Sequence, residues 1–166
     1  MPPNTAELRE ALGQFLAQSH VSGPAIVGLE RRPSAYRSSF PLEEMQVWLG
    51  DGTAVEIIFK DLSRQSLSEA VRQAKPDFLH DPLREIETYR SLLAGGQIGT
   101  AHCFGVIADD GLGRFWLFLE KVAGDELYKI GDFSTWEYVA RWLAGMHQKF
   151  AAKIALTASR SAHWLK

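Results

Sequence analysis

An apolar run, Val55, Ile57, Ile58 and Phe59, ends in Lys60 within the stretch VEIIFKDLS, residues 55–63. In an extended chain successive side chains alternate between faces. Lys60 and Ile58 therefore share one face, while Val55, Ile57 and Phe59 share the other. A lysine at a strand end ordinarily snorkels into water. Two carboxylates further along widen its chemistry: Glu85 and Glu87 stand in LREIETYRSLL, residues 83–93. A helix packed beside the sheet could set one of them against the ammonium, and a lysine held in that way grips phosphate as a positioned point charge. Residues two apart on a helix point in different directions, so only one of the two can face Lys60. The sequence leaves open which one.

The elements that must position these groups follow in a readable order. Asn4 to Ser19 predicts an amphipathic helix, with Asn4 and Glu7 in capping-box spacing and Leu8, Leu12, Phe15 and Leu16 as its stripe. SHVSGP breaks it. AIVGLE (25–30) and FPLEEMQVWL (40–49) predict strands, and Gly50-Asp51-Gly52 predicts a tight turn into a third, VEIIFKDL. A short helix is expected around Leu67 to Arg72. Asp81-Pro82 is a helix start, with Leu83, Ile86, Tyr89 or Arg90, and Leu93 on one side and Gly95-Gly96 as the stop. HCFGVIA and RFWLFLEKV, joined by DDGLG, predict a hairpin. Ser134 and Glu137 form a second capping box ahead of WEYVARWLAGMHQKFA, whose buried face is expected at Val139, Leu143, Met146 and Phe150. Strands followed by segregated helices predict an α+β fold with an antiparallel sheet of five strands and a packed helix.

Bulk composition narrows the function classes. The 166 residues fit one ordinary domain, and 46% hydrophobic with 23% charged residues is globular composition. A net charge of -2 argues against a nucleic-acid-binding module, which needs a basic stripe. The single cysteine, Cys103, forms no internal disulfide, and His102, His147 and His163 lack metal-ligand spacing. His147 is expected as a packed histidine on the last helix. The first twenty residues carry charges throughout, and no apolar run approaches the roughly 18 residues of a membrane span. The expectation is a soluble, cytoplasmic protein with no nucleic-acid and no membrane partner. Gly95-Gly96 and Gly111-Leu112-Gly113 are stop and hairpin signals, since neither follows a strand and opens a helix as a dinucleotide fingerprint does.

In the order and spacing of RRPSAYRSSF (31–40), IIFK (57–60), REIETYRSLL (84–93), WLFLEKVAGDEL (116–127) and WLAGMHQKF (142–150), the chain resembles the aminoglycoside-phosphotransferase and choline-kinase-like family, relatives of the protein kinases. The resemblance covers roughly residues 24–150. It implies an N-terminal helix over 1–23, a kinase-like small lobe over 24–122, and over 123–166 the hinge and first helices of an incomplete large lobe. It further implies ATP as the bound nucleotide. Lys60 would contact the α- and β-phosphates and Glu85 would be its partner, with Glu87 the competitor. The loop RRPSAYRSSF would cover the phosphates. It departs from the glycine-rich pattern of protein kinases, having no glycine between Glu30 and Leu49, but Ser34, Ser38 and Ser39 would donate to phosphate oxygens and Arg31, Arg32 and Arg37 would add positive charge. The Glu120 carbonyl and the Val122 amide would meet the adenine, with Phe118 bordering the base pocket.

The family's catalytic aspartate, its asparagine and its metal-binding aspartate lie beyond the first large-lobe helices. After Gln148 the chain reads KFAAKIALTASRSAHWLK, with no Asp, Asn or Glu, so no catalytic or metal residue is assigned here and magnesium would need residues outside this chain. Two expectations follow. One is the nucleotide-binding lobe of a phosphotransferase for a small-molecule hydroxyl, as a piece or a truncated relative. The other is a non-enzymatic kinase-like module, or a dimerising α+β domain, that docks a missing large lobe or a second copy through an exposed helix face.

Overall fold

The computed structural model describes residues 3–19, 25–36, 39–76, 79–93 and 98–161. The break at 20–24, the Gly95-Gly96 stop, Arg37, Ser38 and His163 lie outside the described residues.

The first helix, α1 (Thr5–Ser19), starts at the expected capping box. The Glu7 amide donates to Asn4 Oδ1 at 2.9 Å, and the Asn4 amide donates back to Glu7 Oε2 at 3.0 Å. Five strands follow: β1 (Ile26–Pro33), β2 (Leu42–Leu49), β3 (Ala54–Asp61), β4 (Cys103–Asp109) and β5 (Arg114–Glu120). They form one antiparallel sheet in the order β1-β2-β3-β5-β4. Between β3 and β4 lie α2 (Glu69–Ala74) and α3 (Pro82–Glu87). Asp81 caps α3, accepting from the Leu83 amide at 3.0 Å, with Pro82 in the first turn. The helix then widens into a π turn over Thr88–Leu92, closed by the Leu93 amide on the Thr88 carbonyl at 3.0 Å. The α+β class with a five-stranded antiparallel sheet is as expected.

The sheet is covered on both faces, and its register says which residues go where. Phe59 stands opposite Phe118 and Lys60 opposite Leu117, so Phe59 and Phe118 share one face while Lys60, Leu117, Ile58 and Leu119 share the other. The Phe59 face packs on α1. Leu8, Leu12 and Leu16 meet Met45, Val47, Ile57, Phe59, Trp116 and Phe118 there. The Phe59 and Phe118 rings lie 5.2 Å apart, and Phe15 lies 5.7 Å from Phe118. Each of these large apolar side chains contributes roughly 1.5–3 kcal/mol by leaving water. The Lys60 face packs on α3, where Leu62, Ile86, Phe115 and Leu117 form a second buried cluster flanked by Phe40, Tyr89, Cys103 and Leu119. Leu83, expected on the inward side of α3, is 37% exposed, because in the first turn it lies past the edge of that cluster.

Residues 123–166 make a second compact unit. It holds a short 3-10 turn, Leu127–Lys129, and the long helix α4 (Phe133–Ser161). The cap of α4 is Asp132, not Ser134: its carboxylate accepts from the Ser134 and Thr135 amides at 3.3 and 3.2 Å. Glu137, free of the expected box, pairs with Arg141 at 2.6 Å. On α4, Val139, Met146 and Phe150 are half-buried, Leu143 is 38% exposed, and His147 is exposed, not packed. No helix among the described residues is long and apolar enough to cross a membrane.

Candidate functional site

Lys60 ends β3 on the face covered by α3, and α3 brings Glu85 to it. The Lys60 Nζ donates to Glu85 Oε1 at 2.9 Å and to Oε2 at 2.7 Å. The lysine side chain is 15% exposed and the carboxylate 37%, so the pair is half sheltered and open on the carboxylate side. Glu87 points elsewhere, to Arg90 at 3.1 Å on the helix surface. The choice left open by the sequence falls on Glu85, as the helical rotation between positions two apart requires.

Aromatic rings support the lysine. Nζ stands 5.8 Å from the centroid of Phe40, and Phe40 lies 6.1 Å from the His80 ring, whose Nε2 is 3.2 Å from the Leu62 carbonyl. Behind them, burial pushes the Tyr89 phenol upward, and the Glu85 charge adds to it. Burial likewise raises the Cys103 thiol, which keeps it protonated and inert.

Ion pairs occupy the neighbouring part of the same sheet face. Arg32 stands opposite Glu44 in the β1–β2 register and donates to its Oε2 through Nε at 3.0 Å and Nη2 at 2.8 Å. Lys121, just past β5, reaches the same carboxylate at 3.0 Å and Glu56 at 3.3 Å. Hydrogen bonding from Lys121, then Arg32, holds the Glu44 carboxyl below the usual carboxylate range, and Glu44 in turn holds the Lys121 ammonium above the usual lysine range. One carboxylate thus ties β1, β2 and the chain leaving β5 together.

The β1–β2 loop stands at the Lys60 end of the sheet, since Leu42 is opposite Lys60 and the Ser34 amide closes the loop neck on the Leu42 carbonyl at 2.8 Å. Within it, the Ser34 hydroxyl donates to Glu44 at 3.1 Å and accepts from the Tyr36 amide at 3.2 Å. Ser39 is exposed beside Phe40. Arg31 and Arg32 do not add free charge to this loop. Arg31 grips Glu43 at 2.8 and 2.9 Å, with Glu43 opposite Phe59 and so on the α1 face, and Arg32 is held by Glu44.

Phe118 departs from its expected place. It is fully buried on the α1 face, against Phe15 and Phe59, so it cannot border a pocket on the Lys60 side. Strand alternation puts Leu117 and Leu119 there instead. Glu120 holds the residue just ahead of β4, its amide donating to the His102 carbonyl at 2.8 Å and its carboxylate accepting from the His102 amide at 3.0 Å. Val122 follows, 64% exposed.

Glu44, Lys121 and Phe40 went unseen as site residues. A signal for the first existed, since Arg31-Arg32 and Glu43-Glu44 are matching charge doublets on consecutive strands. Phe40 and Lys121 come to Lys60 and Glu44 only through the sheet register. Compared with family models, curated proteins and solved structures, the chain matches none.

Proposed function

We propose that this chain is the ATP-binding small lobe of a phosphotransferase that acts on a small-molecule hydroxyl, with catalysis resting on residues it does not itself supply. The observation that carries the reading is the Lys60–Glu85 contact, made by both carboxylate oxygens at the end of a central strand, where Lys60 stands opposite Leu42. A chance likeness to the phosphotransferase pattern would allow these residues to fall on opposite faces of the sheet. They share one. An ammonium has three donors, and Glu85 takes two, which leaves one for a phosphate oxygen. Glu85 is then a positioning residue, and Lys60 the group that touches the nucleotide. Ile58 and Leu119, paired across β3 and β5 on the Lys60 face, offer the apolar surface for a base, and the backbone from Glu120 to Val122 offers its hydrogen bonds.

Among the described residues of the loop Ser39 is the exposed serine, while Ser34 would have to leave Glu44 to donate to phosphate. Among the described residues no cluster of three His, Cys, Asp or Glu could hold a metal, and no step is assigned to magnesium. Titration of Mg-ATP by calorimetry tests the reading. Saturable binding is expected, weakened about tenfold or more in Lys60→Ala, the effect of losing one charge-assisted contact. Equal binding in both proteins, or none in either, would sink it.

A second reading is favoured by one feature of the 123–166 unit. Tyr128, Phe133 and Tyr138 there are 71%, 80% and 70% exposed. A non-enzymatic module could dock a second copy or a missing helical lobe on such aromatics. A concentration-dependent dimer with no nucleotide affinity would favour it.

A further inference from the structure

A groove lies on the α1 face of the sheet, opposite the face that carries the Lys60 pair. Two hollows of about 250 and 350 Å³ make it up, and they share Pro3, Asp61 and Gln65 as walls. Together they fall in the roughly 300–1,000 Å³ range of small-molecule sites. Phe59 and Pro41 line the first, and Trp116 lines the second. Arg31 holds the rim in place, its Nη1 donating to the Pro3 carbonyl at 3.0 Å.

Three carboxylates line the groove, and two of them are matched. Arg31 takes both oxygens of Glu43, at 2.8 and 2.9 Å, while Glu7 accepts from Arg114 through one oxygen and from the Asn4 amide through the other. Asp61 is the third. Its Oδ1 accepts from the Ser63 amide at 3.0 Å, and no cation pairs with it among the described residues. Strand alternation puts Asp61 on the side of Phe59, and the β3–β5 register sets it opposite Trp116, so its side chain stands on the face where both rings line the groove. The turn into Ser63 needs only one side-chain oxygen, which an asparagine would also supply. Oδ2 and the negative charge are surplus to that turn. A part-buried carboxylate without a counter-charge carries a desolvation cost that a cation offsets.

We propose that this groove binds a small primary ammonium with a short apolar stem. The ammonium donates to Asp61 Oδ2, and the stem lies along Phe59, Pro3 and Pro41. Because Asp61 and Lys60 are on opposite faces of β3, the site is independent of nucleotide binding at Lys60.

Titration with n-butylammonium and with n-butanol, its neutral counterpart, at constant ionic strength and followed by amide resonances, tests it. Saturable shifts centred on Asp61, Gln65 and the Trp116 indole are expected for the ammonium, with the alcohol about tenfold weaker or worse. Asp61→Asn keeps the acceptor for the Ser63 amide and removes the charge, so it should weaken the ammonium about tenfold or more and leave the alcohol as it was. Lys60→Ala should change neither. Shifts that never saturate, or equal affinity for the ammonium in Asp61→Asn, would overturn the site. Equal binding of the alcohol by the native protein would overturn the ligand class without any variant, and loss of binding in Lys60→Ala would overturn the independence of the two sites.

Discussion

Lys60 and Glu85 hold each other by two hydrogen bonds, so each substitution strands its partner in a half-sheltered place. Glu85→Gln keeps the shape but removes the charge, and it should weaken Mg-ATP less than Lys60→Ala while Glu87→Gln does nothing measurable. Equal effects of the two glutamine variants would show that position on α3 is irrelevant. Glu44 makes a different prediction. Its carboxyl is depressed by Lys121 and Arg32, so protonation favours the unfolded chain. The stability it contributes is complete above the ordinary carboxylate value and is lost as pH falls through the lower folded one. As pH falls below the ordinary carboxylate range, the native protein should therefore lose more stability to acid than Glu44→Gln, whose acid limb should be flatter. Truncation to Glu44→Ala, which takes from Arg32 its acceptor and leaves Lys121 only Glu56, should lower the urea midpoint at neutral pH.

At the scale of elements, α1 holds the sheet from the face opposite Lys60. It approaches β4 so closely that a Cβ on Gly105 would stand inside the Phe15 ring. Gly105→Ala must push α1 outward, and a loss of about 1–3 kcal/mol is expected from overpacking, readable as a lowered urea midpoint. An unchanged midpoint would mean that α1 can slide. The capping boxes show how far local signals reach. Asn4 with Glu7 formed the predicted box, Glu7 accepting from the Asn4 amide through Oε2 and from Arg114 through Oε1. At α4 the same spacing in Ser134 and Glu137 lost to Asp132, whose carboxylate accepts from the two amides of the first turn. Periodicity located both strands of the β4–β5 hairpin, but not which face each residue takes. Phe118 was misplaced for that reason: the Lys60 face belongs to Leu117 and Leu119, one residue to either side of it.

On the scale of the whole molecule, every fully buried apolar residue among those described belongs to the Met1–Val122 unit. A chain ending at Val122 should therefore fold alone, with one cooperative urea transition and the native sheet spectrum; a broad transition would show that 123–166 completes its core. What the sequence by itself determined is local in origin: the strands, the helix starts at Asn4 and Asp81, the turn at Gly50 to Gly52 and the α+β class all follow from periodicity, capping and turn chemistry within a few residues. What only the tertiary structure decided is pairing across distance. Glu85 over Glu87, Glu44 as the shared acceptor of Arg32 and Lys121, and Phe118 beneath α1 all depend on sheet register and on which face each helix covers. Those are set by burial of the whole core at once, and no short window of sequence contains that sum.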